Sequence, residues 1–275
     1  MTEQSEKIIL SSDIIRSRFP KKFKPEICII TGNMPETTKE FKYLGELNYS
    51  DIPGFTGSAG KIIFAKTKKR DTLILIGRPQ YFDGTDMRSI GHRIYVLKFL
   101  GIKKILSIDE TAHLNPRFSC GEIALIYDHI NLMGDNPLIG KNDESLGIRF
   151  PDMSNAYDKG MYKNIYKVFQ ENKVRINESV YLGITGPESE TEAEARFYRE
   201  IGTDVLGYSI VPENITAVHC GIEFGAIGLI SRELVADKMS EDNRTQKQRE
   251  KDQSQYFTSS VKILNGIITE LADKI

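Results

Sequence analysis

The fold is decided by a stretch that begins Asp128-His-Ile-Asn-Leu-Met-Gly-Asp-Asn-Pro-Leu138 and runs into Arg149-Phe-Pro-Asp-Met-Ser-Asn-Ala-Tyr-Asp158. It follows an apolar run at residues 123–126, whose length is typical of a strand. It leads into a helical spacing of apolar residues that starts at Tyr157. The stretch therefore predicts a long connection between a strand and a helix.

Short β-rich runs alternate with helical patterns on both sides of this connection. The runs of strand length are Ile27–Thr31, Lys61–Lys66, Thr72–Gly77, Lys104–Ile108, Ile123–Ile126, Val180–Thr185, Val205–Tyr208 and Phe224–Ile230. The segments with helical spacing are Met87–Leu100, Tyr157–Asn172, Thr191–Ile201, Pro212–Cys220 and Val261–Ile275. This alternation predicts an α/β protein with a mostly parallel sheet between layers of helices.

The domain organisation is predicted to be simple. No internal repeat and no linker rich in Pro, Gly and Ser divides the sequence, so residues 1–275 are interpreted as one domain. Residues 237–256 carry almost no apolar side chains, which predicts a polar helix or a mobile loop within that domain.

Composition excludes several classes of partner. The 275 residues include 37 basic and 38 acidic side chains, and a formal net charge of −1 is not that of a general nucleic-acid binder. No run is long enough to span a membrane, and the polar N-terminal segment lacks the features of a secretory signal. We therefore expect a cytoplasmic protein with no nucleic-acid or membrane partner, and three cysteines that are reduced and buried, at positions 28, 120 and 220.

Familiar catalytic signatures are missing from the sequence. There is no GxGxxG, no Walker A loop, no HExxH and no GxSxG, and the four histidines are widely separated. A histidine metal site is therefore not expected.

Many separate motifs nevertheless match one family in the right order. Besides the opening stretch they include Ile52-Pro-Gly-Phe55, Gly57-Ser-Ala-Gly60, Gly77-Arg78, Gly186-Pro187 with Glu190-Thr-Glu192, and Gly207-Tyr-Ser-Ile-Val-Pro-Glu213. On these residues the chain, from about Ile27 to Ile230, resembles the trimeric purine nucleoside phosphorylases.

The resemblance implies a single-domain α/β/α fold with a mixed central sheet, assembled as a homotrimer with active sites close to the subunit boundaries. It also implies phosphorolysis of purine nucleosides to the free base and ribose 1-phosphate. Phosphate is then the co-substrate, a purine nucleoside or base is the small-molecule ligand, and no further cofactor is needed.

The phosphate-binding positions that the resemblance assigns are only partly kept. Arg78 and Ser209 match the family, and an arginine fork suits phosphate well. Asn33 lies in a loop that has lost two glycines and gained a proline, which cannot donate an N–H to an anion. Gln80 and Ser58 replace histidines, so both positions are neutral.

A family turn near the phosphate reads Asp109-Glu-Thr-Ala-His113 in this chain. Asp109 and Glu110 would place negative charge near the phosphate position and so oppose the binding of an anion. His113 would compensate only if it points inward.

The sugar contacts implied by the resemblance are also altered. Phe82 stands where the family has a tyrosine, so the ribose-binding ring is kept and the hydroxyl is lost. Tyr208 stands where a methionine usually packs under the sugar.

The base-binding positions are mixed. Glu190 matches the purine-binding glutamate of the family, and Phe150 matches an aromatic residue that reaches in from the neighbouring subunit. Ser189 replaces an aromatic residue that would stack on the base. Arg232 replaces the asparagine that stabilises the departing purine, and arginine can donate hydrogen bonds but cannot accept them.

Arg232 and Glu190 are thus the candidate catalytic residues, and three arrangements of Arg232 are open. It can pair with Glu190 or Glu188 across an empty base pocket, which would hold the site shut. It can donate to the base or to an unusual anionic ligand, which would leave some activity. It can also turn to solvent.

Each lost electrostatic or acid/base contact typically costs about 10²–10⁴ in rate. The sequence therefore predicts a purine nucleoside phosphorylase-like protein whose usual phosphorolysis is impaired or lost, and which binds a small molecule or has another non-catalytic role. The alternative is an active, divergent purine nucleoside phosphorylase with an altered base or sugar preference.

Overall fold

A mixed sheet organises the computed structural model, which describes residues 2–32, 34–55, 59–239 and 241–275. The described strands are β1 (Ile27–Thr31), β2 (Lys42–Asn48), β3 (Lys61–Lys66), β4 (Asp71–Ile76), β5 (Lys104–His113), β6 (Ile123–Asn131), β7 (Asn177–Gly183), β8 (Val205–Gly207) and β9 (Glu223–Glu233). Their order is β2-β3-β4-β1-β5-β8-β7-β6-β9, and β5 also pairs with β9. That extra pairing closes the last five strands into a ring.

The sheet contains both parallel and antiparallel pairs of strands. β1 is parallel to both β4 and β5, whereas β3 runs antiparallel to β2 and β4, and β8 runs antiparallel to β5. The mixed sheet implied by the family resemblance is therefore confirmed, and the mostly parallel sheet expected from the alternation alone describes only part of it.

Helices cover both faces of the sheet. They are α1 (Glu3–Ser17), α2 (Met87–Phe99), α3 (Lys159–Glu171), α4 (Glu192–Glu200), α5 (Ile210–His219), α6 (Ala236–Met239) and α7 (Gln246–Lys274). One apolar cluster joins α1, α2 and α5 to the sheet, and a second joins α3 and α7 to its other face. The predicted α/β/α sandwich is present.

All eight expected strand runs form strands, but two elements were not predicted. β2 is an edge strand whose side chains are mostly exposed, so its sequence lacks a continuous apolar run. α1 buries serines as well as isoleucines on its inner face, so its apolar periodicity is weak.

One predicted connection was wrong. Residues 109–113, expected to form a turn, continue β5 as far as His113, because they pair with both β8 and β9. Residues 237–256 include the end of α6 and the first turns of α7, so most of them are helical. The first turns of α7 can form with polar side chains because they are not buried; the buried residues of α7 begin at Ser260.

Two further findings concern the described part of the chain. No helix in those ranges has the length and apolar character needed to cross a bilayer, and no group of three or more His, Cys, Asp and Glu side chains there could hold a metal ion.

The three cysteines are free, with Cys28 and Cys220 buried and Cys120 partly buried. Burial raises the pKa of Cys120 to about 11 and that of Cys220 to about 12.

A buried histidine joins α1 to α2. The Ser11 hydroxyl donates to the Pro53 carbonyl at 2.6 Å and lies 3.2 Å from Nε2 of His92. Gly54 adopts a φ of +76°, and a Cβ atom there would lie 2.4 Å from the same imidazole nitrogen, so glycine is required. Burial lowers the pKa of His92 to about 4.

We expect this histidine to make the protein less stable in acid. An unfolded histidine has a pKa near 6.5, so below that pH the unfolded chain binds a proton that the folded chain excludes. The free energy of unfolding should therefore fall by about 2–3 kcal/mol between pH 6.5 and pH 4 on account of His92 alone. Urea denaturation of the wild type and of His92→Gln across this range measures the effect. Parallel stability profiles for the two proteins would rule it out.

Candidate active site

Arg78 is placed by the turn that follows β4. Gly77 precedes it with a φ of +86°, and a Cβ atom at Gly77 would lie 2.3 Å from the carbonyl oxygen of Ala59. Only glycine allows the two backbones to approach so closely. The turn directs the Arg78 side chain inward, where it is 2% exposed.

The guanidinium of Arg78 is held by acceptors of the chain itself. Nε donates to Oε1 of Glu213 at 2.7 Å, and Nη2 donates to the other carboxylate oxygen at 3.2 Å. Nη1 donates to the Ile108 carbonyl at 2.9 Å and to Oδ1 of Asp109 at 3.1 Å, and Nη2 also donates to the Ser107 hydroxyl at 2.8 Å. Burial lowers the pKa of Arg78, but the charges of Glu213 and Asp109 outweigh this and raise it above its ordinary value.

Asp109 is linked to the start of α5 through Tyr181. The Tyr181 hydroxyl donates to Oδ2 of Asp109 at 2.7 Å, and the same hydroxyl accepts the backbone N–H of Ser209 at 3.1 Å and that of Ile210 at 3.5 Å. Helix N-termini leave such N–H groups without a partner in the helix. Tyr181 satisfies them here, and burial raises the pKa of its hydroxyl well above the usual range.

Ser209 and Gln80 lie at the edge of this cluster. The Ser209 hydroxyl donates to Oε1 of Gln80 at 3.1 Å. The structure thus brings together three of the predicted phosphate-binding residues, Arg78, Gln80 and Ser209, in one hydrogen-bonded group.

A second ion pair occupies the position predicted to bind the base. Nη1 of Arg232 lies 3.1 Å from Oε2 of Glu190, and Nη2 donates to Oε1 at 3.3 Å. The same guanidinium donates to the Tyr208 hydroxyl at 3.2 Å and to the Ser189 hydroxyl at 3.3 Å. The Glu190 side chain is 2% exposed and the Arg232 side chain is 25% exposed, so only the glutamate is fully buried. Of the three arrangements open for Arg232, this is the first, with Glu190 as its partner.

The predicted ribose-binding rings form an edge-to-face pair. The centroids of Phe82 and Tyr208 are 5.6 Å apart with an interplanar angle of 88°, a favourable aromatic geometry. Phe82 remains 38% exposed. Tyr208 therefore contacts both the aromatic partner and the Arg232–Glu190 pair.

A small cavity lies beside this ion pair. Its volume is about 200 Å³, below the roughly 300–1,000 Å³ of typical ligand pockets. Arg232 and Glu190 line one side, and residues of α7 and of the segment before it line the other, among them Arg244, Asp252 and Tyr256. Arg244 bridges Asp242 and Asp252 at 2.8 and 3.0 Å.

Other predicted site residues lie elsewhere. Glu110 projects from the face of β5 opposite to Asp109 and accepts a hydrogen bond from Gln253 at 2.9 Å, so it is not part of the Arg78 cluster. His113 bonds the Asn115 carbonyl through Nδ1 at 2.9 Å, and its Nε2 lies 3.8 Å from Glu233, so it does not compensate the charge of Asp109. Phe150 is 84% exposed. Asn33 and Ser58 lie outside the described residues.

Three members of the Arg78 cluster were not proposed as site residues from the sequence. They are Ser107, Tyr181 and Glu213, all of which are buried. Glu213 carried a usable signal, because a carboxylate within the otherwise apolar start of a helix needs a buried cation as a partner. Ser107 and Tyr181 lie within strands and gave no such signal.

The chemistry available in this arrangement is limited by the ion pairs of Arg78 and Arg232. Tyr208, Phe82 and Ser189 offer aromatic surface and hydroxyl groups to a small ligand. The groups best suited to hold an oxyanion or a purine edge, Arg78 and Glu190, are each bonded to an opposite charge of the same chain.

Comparisons with known proteins agree with this architecture. A family model described as the phosphorylase superfamily matches residues 26–267. The chain is 36% identical over 227 residues to purine nucleoside phosphorylase 1 of Geobacillus stearothermophilus, covering 80% of this chain and 82% of that protein. It is 34% identical to the purine nucleoside phosphorylase of Mus musculus, covering 78% of each.

A solved structure shows the same relationship. The purine nucleoside phosphorylase of Schistosoma mansoni, crystallised with adenosine, superimposes with a TM-score of 0.88 and 28% identity, over 98% of this chain and 97% of that one. Family model, sequence relatives and structural neighbour coincide over nearly the whole chain, which therefore belongs to the phosphorylase superfamily and, within it, to the purine nucleoside phosphorylase family.

Proposed function

We propose that this protein is a purine nucleoside phosphorylase-like small-molecule binder in which the usual phosphorolysis is impaired or lost. The observation that carries the proposal is the Arg232–Glu190 ion pair, with contacts of 3.1 and 3.3 Å. A purine that enters the base position must first separate two opposite charges, one of which is 2% exposed.

The energetic argument concerns the cost of opening that pair. A carboxylate left unpaired in a buried place is destabilised by several kcal/mol, and a ligand must replace the lost contacts before it gains any affinity. Arg232 also offers only donors to a departing purine. Both effects reduce nucleoside binding and catalysis together.

A second candidate function is an active, divergent phosphorylase, and the relatives named purine nucleoside phosphorylase support it. The two candidates differ in what happens to a nucleoside. Phosphate-dependent release of the free base belongs to the enzyme alone.

We expect little or no phosphorolysis by the wild-type protein. Inosine, guanosine and adenosine are incubated with and without phosphate, and free base and ribose 1-phosphate are quantified. Rates at least about 10²-fold below those of a bacterial purine nucleoside phosphorylase assayed alongside are expected, which corresponds to the loss of one electrostatic contact. Ordinary phosphate-dependent turnover, lost in Glu190→Ala, would establish the enzyme instead.

The variant Arg232→Asn extends the same test to the ion pair. Removing the guanidinium frees Glu190 for a purine, so nucleoside affinity measured by calorimetry should rise at least about tenfold. Arg196→Asn is the matched control, because Arg196 pairs with Glu192 on the surface. A folded Arg232→Asn protein with no gain in affinity would show that this pair does not close the site.

We also propose that the protein forms a homotrimer. The exposed apolar side chains Ile139, Ile148 and Phe150 support this, with exposed fractions of 60%, 66% and 84%. Side chains of this kind, so close along the chain, are suited to burial against a second copy.

Light scattering of the wild type should give three times the 31.1 kDa chain mass. The substitution Phe150→Asp should shift the mass towards that of the single chain, because a charge would enter the contact. Phe197→Asp, at another exposed aromatic position, is the control. A wild-type mass of one chain contradicts the proposal.

A further inference from the structure

The Arg78 cluster contains two kinds of anion-binding element. One is an arginine fork, whose planar donors match the oxygens of a phosphate or sulfate. The other is the start of α5, where N–H groups and the helix dipole favour negative charge. Both elements meet at Asp109.

Asp109 bonds the arginine directly and is linked to the start of α5 through the Tyr181 hydroxyl. Oδ1 accepts from Nη1 of Arg78 at 3.1 Å, and Oδ2 accepts from the Tyr181 hydroxyl at 2.7 Å. Tyr181 in turn accepts the first N–H groups of α5. The carboxylate thus has the hydrogen-bonding role that an oxyanion would have between the same groups.

Close packing holds Asp109 in this position. A Cβ atom at Gly207 would lie 2.7 Å from Oδ2 of Asp109 and 2.5 Å from the Tyr181 hydroxyl. Gly207 therefore leaves just enough room for the two side chains. The Asp109 side chain is 8% exposed, so solvent does little to weaken its charge.

The remaining charges around Arg78 leave no excess positive charge for an anion. Glu213 takes two of the guanidinium donors, and the Ser107 hydroxyl donates to the same carboxylate at 2.7 Å. Arg93 contributes a second buried cation near Glu213 and stacks on Tyr49 with its guanidinium carbon 4.3 Å from the ring centroid. The positive charges of Arg78 and Arg93 are thus balanced by the negative charges of Glu213 and Asp109.

We propose that Asp109 is an intramolecular substitute for an oxyanion, and that it excludes phosphate from the Arg78–Ser209 end of the site. The ligands of the wild-type protein are then uncharged at that end, as a nucleoside or a free base is, and not a sugar phosphate. This inference rests on the proposed binding function and specifies its ligand class.

The test is the binding of inorganic phosphate to the intact protein, measured by calorimetry at an ionic strength held constant with chloride. The variants are Asp109→Asn, which keeps the shape and removes the charge, and Asp109→Ala, which also makes room. Each should bind phosphate at least about tenfold more tightly than the wild type. Asp152→Asn, which removes an exposed carboxylate, should bind like the wild type.

Two results would overturn the proposal. One is saturable phosphate binding by the wild type as tight as that of the Asp109 variants. The other is folded Asp109 variants, with melting temperatures near that of the wild type, that gain no phosphate affinity.

A second variant covers the case in which the Asp109 substitutions prevent folding. Tyr181→Phe keeps the ring, frees Oδ2 of Asp109 and exposes the first N–H groups of α5 to a ligand. Because the Asp109 charge remains, this variant should bind phosphate no more tightly than the wild type, and a gain of about tenfold or more would refute the proposal. The nucleoside assays are independent, because turnover by the wild type contradicts the proposed function whereas unchanged phosphate binding contradicts only the role of Asp109.

Discussion

The buried guanidinium of Arg78 is the constraint on which the site depends. A charge removed from water costs several kcal/mol, so it persists only with good partners. Glu213 from α5 and Asp109 from β5 supply them at 2.7 and 3.1 Å, and the turn after β4 supplies the arginine. Three elements that are distant in sequence are thereby fixed to one another. Removing either carboxylate changes the electrostatics of the whole cluster, because the other groups have no solvent with which to relax.

The Arg232–Glu190 pair differs from that cluster in its access to water. Its arginine is 25% exposed, whereas both partners of Arg78 are nearly enclosed. Opening the outer pair costs less, since water can solvate the released guanidinium. The two ion-paired groups therefore differ: the Arg78 cluster is fixed by the core, whereas rotation of a single side chain can open the Arg232–Glu190 pair.

Much of the fold could be predicted from sequence, because Ile27–Thr31 and the other apolar strand runs carry a strong local signal. α1 could not, since it buries Ser5, Ser11 and Ser12. Ser5 and Ser11 bond Asp143 and Pro53, which lie in loops far along the chain. The same limit applies to the site. Arg232 and Glu190 could be predicted as a possible pair because both stand at positions that the family resemblance assigns to base binding. The role of Asp109 depends on Tyr181, 72 residues away, and on a strand pairing that the expected turn at 109–113 had excluded.

The pairing of β5 with β9 has a consequence for how fast the site can open. Asp109 of β5 lies opposite Gly228 of β9, and Ala112 of β5 lies opposite Arg232 of β9. The same strand pair therefore holds Asp109 from one end of the site and Arg232 from the other. The ladder resists a hinge between those ends, and its register shifts once between them, at Thr111 and Ala112. Side-chain rotation of exposed residues takes picoseconds to nanoseconds, whereas domain closure takes microseconds to milliseconds. Under the proposed function, a purine then reaches the base position through rotation of the Arg232 side chain and not through domain closure.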